Sequence, residues 1–226
     1  MFVALSRQKT RDSTARAMPN LPDLRETRLF WEQYYSGLID GDTTLVEAPS
    51  PFAVEVSSKI PTGSTLLDFG CGNGRDSCFF ASQGLVIIAT DICTKAVELT
   101  ASKLPLPSSA IVADGSSLPE TTVDYAYLRF VLHALTETEQ DIVFRWMRKY
   151  VRKQVFIETR STKDPRCGQG KLVGRNEYID THYRRFLSTE DLVAAASRVG
   201  FSTCEVVETS PGSGNDGAQV LRAILG

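Results

Sequence analysis

Leu66-Leu67-Asp68-Phe69-Gly70-Cys71-Gly72-Asn73-Gly74-Arg75-Asp76 decides how this chain is read. An apolar run, Thr65–Phe69, opens onto glycines spaced G-x-G-x-G, which predicts a buried strand turning sharply into a helix. Without β-carbons the backbone bends tightly there and lets a ligand lie against it. A dinucleotide fingerprint requires G-x-G-x-x-G, its third glycine bringing the helix close to the strand, and Arg75 holds that position. A pyrophosphate would also favour the bare amides of the helix start. Asp68, just before the turn, opposes a phosphate by charge and suits an ammonium group.

The pattern continues outward from this turn. Arg75–Gln83 repeats as a helix stopped by Gly84, Leu85–Thr90 is a second buried strand, and Thr94–Ser102 is a helix with Thr94 as its N-cap. Strands follow at Ala110–Val112, Val123–Leu128 and Gln154–Thr159, with a helix from Thr136-Glu137-Thr138-Glu139 to Tyr150 between the last two. Arg160 to Leu187 reads as one long irregular stretch. Ser188-Thr189-Glu190-Asp191 resembles a capping box and starts a helix to Val199. Thr203–Glu208 and Gln219–Leu225 are two final strands joined by a Gly/Ser/Asn turn. Alternating strands and helices imply parallel pairing with right-handed crossovers. The expected fold is α/β: a seven-stranded, mostly parallel sheet with helices on both faces and an antiparallel last strand. Ligands in such sheets sit at the carboxyl ends of the strands.

Acids stand at those ends. Asp91 closes the second strand, 21 residues after Gly70, where a carboxylate can accept from both hydroxyls of a ribose. Asp114 closes the third, where it can accept from an exocyclic amine. Taken singly, each glycine makes a plain tight turn and each Asp a cap. Together they describe a ligand with an amine, a ribose and an adenine but no phosphate, and S-adenosylmethionine has that composition. At "LLDFGCGNGRD", "VIIATDI", "VADGSSLP" and "VDYAYLRFVLHAL" the chain resembles the class I S-adenosylmethionine-dependent methyltransferases, over roughly residues 64–160.

The resemblance implies that Asp68, Gly70 and Gly72 run along the methionine part of the cofactor, Asp91 on the ribose, and Asp114 on the adenine amine with Ile92 and Gly115 beside the ring. Arg129 and Phe130, past the fourth strand, match the segment that backs the sulfonium. "FWEQYY", "PSPFA" and "HYRRF" resemble a subset acting on small metabolites or glycan-related substrates. The implied layout is a flexible tail (1–22) and one methyltransferase domain (23–226). That domain divides into an N-terminal helical lid (23–60), a cofactor-binding core (64–160), a substrate-side loop (160–187), and a C-terminal helix and hairpin (188–226).

Methyl transfer needs a general base only when the acceptor must lose a proton. The two histidines, His133 and His182, are the candidates. His133 serves either as structural support near the cofactor or as that base. His182 is either a substrate contact or a surface residue, and an ordinary pKa near 6.5 would make it a usable base. Trp31 and Tyr35 lie on a short aromatic helix, Thr27–Ser36, that is either a lid or a helix packed on the sheet. Arg160, Tyr183, Arg184 and Arg185 complete the candidate substrate contacts, guanidinium forks suiting carboxylate or phosphate.

Composition bounds the rest. The chain has 226 residues, 42% of them hydrophobic, and a formal net charge of −2, which argues against a polycation coating nucleic acid. Arg145 to Arg185 nevertheless holds twelve Lys/Arg against four Asp/Glu, either a docking face for an anion or a set of solvated faces. Five cysteines without CxxC spacing predict reduced thiols in a cytoplasmic protein, with neither disulfide framework nor structural metal. No apolar run approaches the roughly 20 residues of a membrane helix, so no membrane partner is expected. The basic start, Arg7 to Arg16, weakly resembles a transit peptide and fits a disordered tail better. The expected activity is transfer of a methyl group to a small polar or anionic acceptor, at oxygen. An RNA or protein methyltransferase docking through residues 145–185, and a non-catalytic cofactor-binding subunit, are the alternatives.

Overall fold

The computed structural model describes residues 24–39, 46–210 and 217–226. The tail 1–22 and the turn joining the last two strands lie outside the described residues. Strand β1 (Thr65–Phe69) has both of its predicted bounds, and four of its five residues are buried. A strand buried on both faces belongs at the centre of a sheet that helices cover on both sides. β1 pairs in parallel with β2 (Val86–Asp91) on one side and β4 (Val123–Arg129) on the other. β3 (Ser109–Val112) lies beyond β2, and β5 (Val151–Arg160) beyond β4, both also parallel. The chain winds outward from β1 to β3, then crosses back to β4. That reversal opens a crevice at the carboxyl ends of β1 and β4.

The sheet finishes with β9 (Cys204–Thr209) and β10 (Val220–Leu225), in the order β3-β2-β1-β4-β5-β10-β9. β10 is antiparallel to both β5 and β9 and lies between them. On one face, Phe52 and Val56 of α2 (Pro51–Ser57) and Phe80 of α3 (Arg75–Ser82) pack against Leu66, Ile87, Tyr127 and Phe156. On the other, Phe144 and Met147 of α5 (Glu137–Tyr150) and Leu192 of α6 (Thr189–Arg198) pack against Leu67, Leu128 and Ile157.

Local chemistry sets the helix starts. Thr136 with Glu139, and Ser188 with Asp191, form the reciprocal bonds of two capping boxes. Helix α4 (Thr94–Ala101) begins one residue away from expectation. Cys93, not Thr94, is its N-cap, the sulfur accepting from the Ala96 amide at 3.4 Å. Ser50 caps α2 and also donates its hydroxyl to Asp76 of α3 at 2.7 Å, while Tyr127 of β4 donates to the same carboxylate at 2.9 Å. This buried knot ties both helices to the sheet.

The stretch 160–187 is not irregular. It folds into a small antiparallel sheet of β6 (Lys171–Gly174), β7 (Glu177–Ile179) and β8 (Tyr183–Arg185). Strands of three or four residues, rich in charge and glycine, carry no alternating apolar signal. The turn between β6 and β7 places Asn176 at φ 58°, a left-handed position asparagine tolerates. The aromatic helix, α1 (Leu24–Ile39), is longer than predicted at both ends. Among the described residues no helix is long and apolar enough to cross a membrane.

Candidate active site

The glycine turn leaves β1 and fastens to the end of β2. The amides of Gly70 and Cys71 donate to the Thr90 carbonyl at 2.8 and 2.9 Å. Asp91 continues the seam: one carboxylate oxygen accepts from the Gly72 amide at 3.0 Å and the other from the Cys93 amide at 2.9 Å. Burial pushes the Asp91 carboxyl above the ordinary carboxylate range, against the pull of those amides. Gly70 has φ +80°, and a β-carbon there would stand 2.9 Å from Cγ2 of Val131. The residue types at this turn follow from that backbone.

Above the turn lies a cleft. Gly70, Asp91 and Ile92 form one end, and Asp114, Gly115 and Ser116 follow from the loop after β3. Phe130, Val131 and Leu135 close the far side, with Val143 of α5 behind. Thr27, Trp31 and Tyr35 of α1 form the roof. One oxygen of Asp114 accepts from the amides and hydroxyls of Ser116 and Ser117 at 2.7–3.0 Å. Partial burial pushes this carboxyl up, but those four donors outweigh it and hold it below its ordinary value. Two carboxylates at separate strand ends, apolar Ile92, Leu135 and Val143 between them, and glycines where the backbone must lie close match the acceptors and apolar surface a nucleoside needs.

Of the residues expected at the cofactor, Gly70, Asp91, Ile92, Asp114, Gly115 and Phe130 line this cavity, while Asp68, Gly72 and Arg129 do not. Asp68 is buried behind the turn and accepts the Ser77 hydroxyl at 2.5 Å. Burial, with Asp76 and Asp91 nearby, pushes its carboxyl up to about 7 despite that bond. Gly72 is covered by the Tyr35 phenol. Arg129 pairs with buried Glu158 at 3.0 Å, and its guanidinium lies 4.6 Å from the centre of the Phe130 ring. Arg160 approaches the same ring at 5.3 Å. Phe130 adopts φ 51° with its amide donating to the Glu158 carbonyl at 2.8 Å. A side chain in this region costs on the order of 1–3 kcal/mol, and here the strain aims the ring into the cavity wall.

A second chamber adjoins the first, sharing Thr27, Trp31 and Ala134 with it. Phe30 of α1 and, opposite it, Ile179, Thr181, His182 and Tyr183 of the β7–β8 hairpin line it, with Glu26 at one end. His182 stacks on Phe30, ring centres 4.2 Å apart and planes 30° apart. Burial and the Arg184 charge push the His182 imidazole down to about 4. His133 lines neither chamber; it is buried edge-on to Phe130, its Nδ1 without a hydrogen-bond partner. Burial, then the charges of Arg160 and Arg184, drive it well below the ordinary histidine range. Both shifts favour the uncharged imidazole.

The arginines expected at substrate are engaged with the protein. Arg160 pairs with Asp164 at 2.6 Å and Arg184 with Asp180 at 2.5 Å. Arg185 is buried and donates to the Leu135 carbonyl at 3.0 Å and to Gln140 at 2.5 Å. None of the three lines either chamber, whereas Trp31, Tyr35 and Tyr183 do. Elsewhere in the basic stretch, Lys163 pairs with Glu208 and Arg175 with Asp191. Among the described residues no cluster of His, Cys, Asp or Glu is arranged to hold a metal ion.

Helix α1 is seated as a roof by one carboxylate. Glu32 accepts from the Thr94 and Lys95 amides at 2.7 and 3.3 Å, at the start of α4, and from the Cys93 thiol at 3.2 Å. An anion at a helix N-terminus satisfies orphan amides and meets the helix dipole. Arg28 adds a bond to the Thr94 hydroxyl at 3.0 Å. Thr27 and Phe30 belong to the predicted aromatic helix but not to the predicted site, although they share the helical stripe of Trp31 and Tyr35. Val131, Leu135 and Val143 look like any core positions, and nothing local marks them.

The methyltransferase-domain family model matches residues 45–206. No curated protein matches the chain significantly in sequence. Among solved structures, the chain is similar to a 1,6-didemethyltoxoflavin-N1-methyltransferase from Burkholderia thailandensis, bound to 1,6-didemethyltoxoflavin and S-adenosylhomocysteine. The TM-score is 0.70 at 17% identity, covering 96% of this chain and 97% of that one. It is also similar to an S-adenosylmethionine-dependent methyltransferase from Methanosarcina mazei, with TM-score 0.65, 15% identity, and 79% and 98% coverage. A magnesium protoporphyrin IX methyltransferase from Synechocystis, bound to S-adenosylhomocysteine, gives 0.58 at 15% identity, covering 91% and 89%. These likenesses are likenesses of fold.

Proposed function

The chain belongs to the methyltransferase-domain family, and from that membership we propose that it methylates a small acceptor held under α1, at an oxygen that ionises without a protein base. It is an enzyme with a Rossmann-like methyltransferase fold, and its methyl donor is S-adenosylmethionine. The observation that carries the proposal is the pairing of chambers. One presents Asp91 and Asp114 around a glycine turn, and the other adjoins it beneath the same helix.

S-adenosylmethionine, when bound, supplies a methyl carbon on a positive sulfur, which departs with the bonding electrons as S-adenosylhomocysteine. The protein's part is positioning and exclusion of water. Asp91 and Asp114 would accept from ribose hydroxyls and adenine amine, each held in place by backbone donors. Phe130 and Tyr35 would enclose the reacting end. Asp68 supports the turn from behind and acts through Ser77.

His182 and His133 are neutral and weakly basic, so an alcohol of ordinary acidity would keep its proton. An acidic hydroxyl reaches its nucleophilic form by itself, losing its proton to solvent. The engaged arginines remove the support for a strongly anionic acceptor, and a small polar acceptor remains. A cytoplasmic location belongs to the same reading.

Calorimetric titration with S-adenosylmethionine and S-adenosylhomocysteine tests the premise, and transfer of a labelled methyl group to acidic-hydroxyl compounds tests the acceptor class. Micromolar binding of both nucleosides is expected. Failure of either to bind refutes the assigned cleft.

A further inference from the structure

The second chamber narrows the acceptor further than its size does. We infer that it takes a flat ring system bearing a hydrogen-bond acceptor atom and no carboxylate or phosphate group, laid against the aromatic wall that α1 and the β7–β8 hairpin build together. This rests on methyl transfer from the first chamber.

The walls argue for a ring. Phe30 and Trp31 face the chamber from the helix, and His182 and Tyr183 face it from the hairpin. The Phe30 and His182 rings stack on each other at 4.2 Å, and Trp31 lies 5.5 Å from the same imidazole, so helix and hairpin join into one aromatic wall against which a guest can lie. Flat apolar faces gain from a flat guest through area and quadrupole alignment, and an aliphatic chain would meet only part of them.

The charges argue against a carboxylate or phosphate on the guest. Among the described residues no lysine or arginine lines the chamber, and Glu26 is acidic. Arg184, which follows the lining residue Tyr183, is bound to Asp180. A carboxylate or phosphate entering would meet Glu26 and no cation among the described lining residues.

The hydrogen bonds argue for an acceptor atom on the guest. Nδ1 of His182 lies 3.1 Å from the Thr181 hydroxyl and 3.5 Å from Nη2 of Arg184. A guanidinium only donates, so Nδ1 accepts, and the neutral ring carries its proton on Nε2. The imidazole is therefore a donor toward a guest. A carbonyl, ring nitrogen or ring hydroxyl oxygen complements it, and the Thr27 and Thr181 hydroxyls can adapt to either role.

The test uses protein saturated with S-adenosylhomocysteine and titrated with indole, 1-naphthol, 4-hydroxyquinoline and malate, read by calorimetry and saturation-transfer NMR. We expect saturable binding of 4-hydroxyquinoline and 1-naphthol, weaker binding of indole, which lacks an acceptor atom, and none of malate. Phe30→Ala and Phe30→Leu should each weaken 4-hydroxyquinoline at least tenfold, the leucine keeping bulk but losing the flat face. S-adenosylhomocysteine affinity and melting temperature should stay put in both variants. If the nucleoside binds but no ring compound does, or malate binds in their place, or Phe30→Leu leaves ring binding intact, the inference falls. If the nucleoside itself fails to bind, the underlying methyl-transfer reading falls instead.

Discussion

The phenolic oxygen of Tyr35 lies where a β-carbon on Gly72 would have to stand. Roof and turn therefore meet through an atom that glycine alone leaves room for. Gly72 also sits at φ +57°, a second reason for its identity. Gly72→Ala should lower S-adenosylmethionine affinity at least tenfold in calorimetry. In Gly72→Ala/Tyr35→Phe the nearest ring atom would be 3.4 Å away, so much of that loss should return. The residual cost is the backbone term, about 1 kcal/mol.

Asp91 holds the glycine turn and the start of α4 at once. Asp91→Ala should cost cofactor affinity on the order of 1.5–3 kcal/mol per charge-assisted bond lost. It should also lower the melting temperature, because two amides lose their acceptor. Asp91→Asn keeps one carbonyl acceptor and should lose less stability while still binding poorly. Thermal shift with and without S-adenosylhomocysteine separates the two effects.

Asp68 gives the fold a pH dependence. Its carboxyl is pushed up to about 7 by burial, from an ordinary value of 3.8. The folded state thus holds this proton more tightly than the unfolded chain. That contribution is complete below pH 3.8 and is lost as pH rises through about 7. At roughly 1.4 kcal/mol per unit, the span amounts to a few kcal/mol. Asp68→Asn should still accept from Ser77, raise stability at pH 8, and flatten the decline between pH 5 and 8 in urea unfolding.

Arg185 acts as a buried strut. Its guanidinium satisfies the Leu135 carbonyl and the Gln140 side chain, and Gln140 is itself buried. Arg185→Ala would leave these without a donor, at about 1–3 kcal/mol each. The expected result is a large drop in the urea midpoint. Leu135 also lines the first chamber, so cofactor affinity should fall with it. A change confined to the acceptor KM would contradict this placement.

The two histidines should be silent near neutrality. With His182 at about 4 and His133 also depressed, imidazole resonances followed by NMR should not titrate between pH 5.5 and 8. Arg184→Gln removes a charge facing His182 and should move that ring upward.

Local signals carried most of the fold. β1 was bounded correctly because an apolar run ended at glycines, and α5 and α6 because Thr136 and Ser188 stand three residues before acids. Asp91 and Asp114 were legible because strand ends place side chains at the crevice whatever the partners. What a charged group pairs with was not legible. Asp164 and Asp180 each stand four residues before or after their arginines, yet that spacing looks the same whether the cation faces substrate or its neighbour. Asp68 was assigned to the ligand because it adjoins the turn. Its strand position instead aims it beneath the turn at Ser77, a contact only the packing of α3 reveals. The small sheet of β6, β7 and β8 has strands too short for any periodicity to register.

β10 lies between β5 and β9 and bonds to both over its whole length. β9 therefore reaches the sheet through β10 alone, and its place in the layer is set by a strand that follows it in the chain. Removing residues 220–225 would strip β9 of its partner and bare the edge of β5 at the same stroke, so the closing strand works as the rivet of the whole margin.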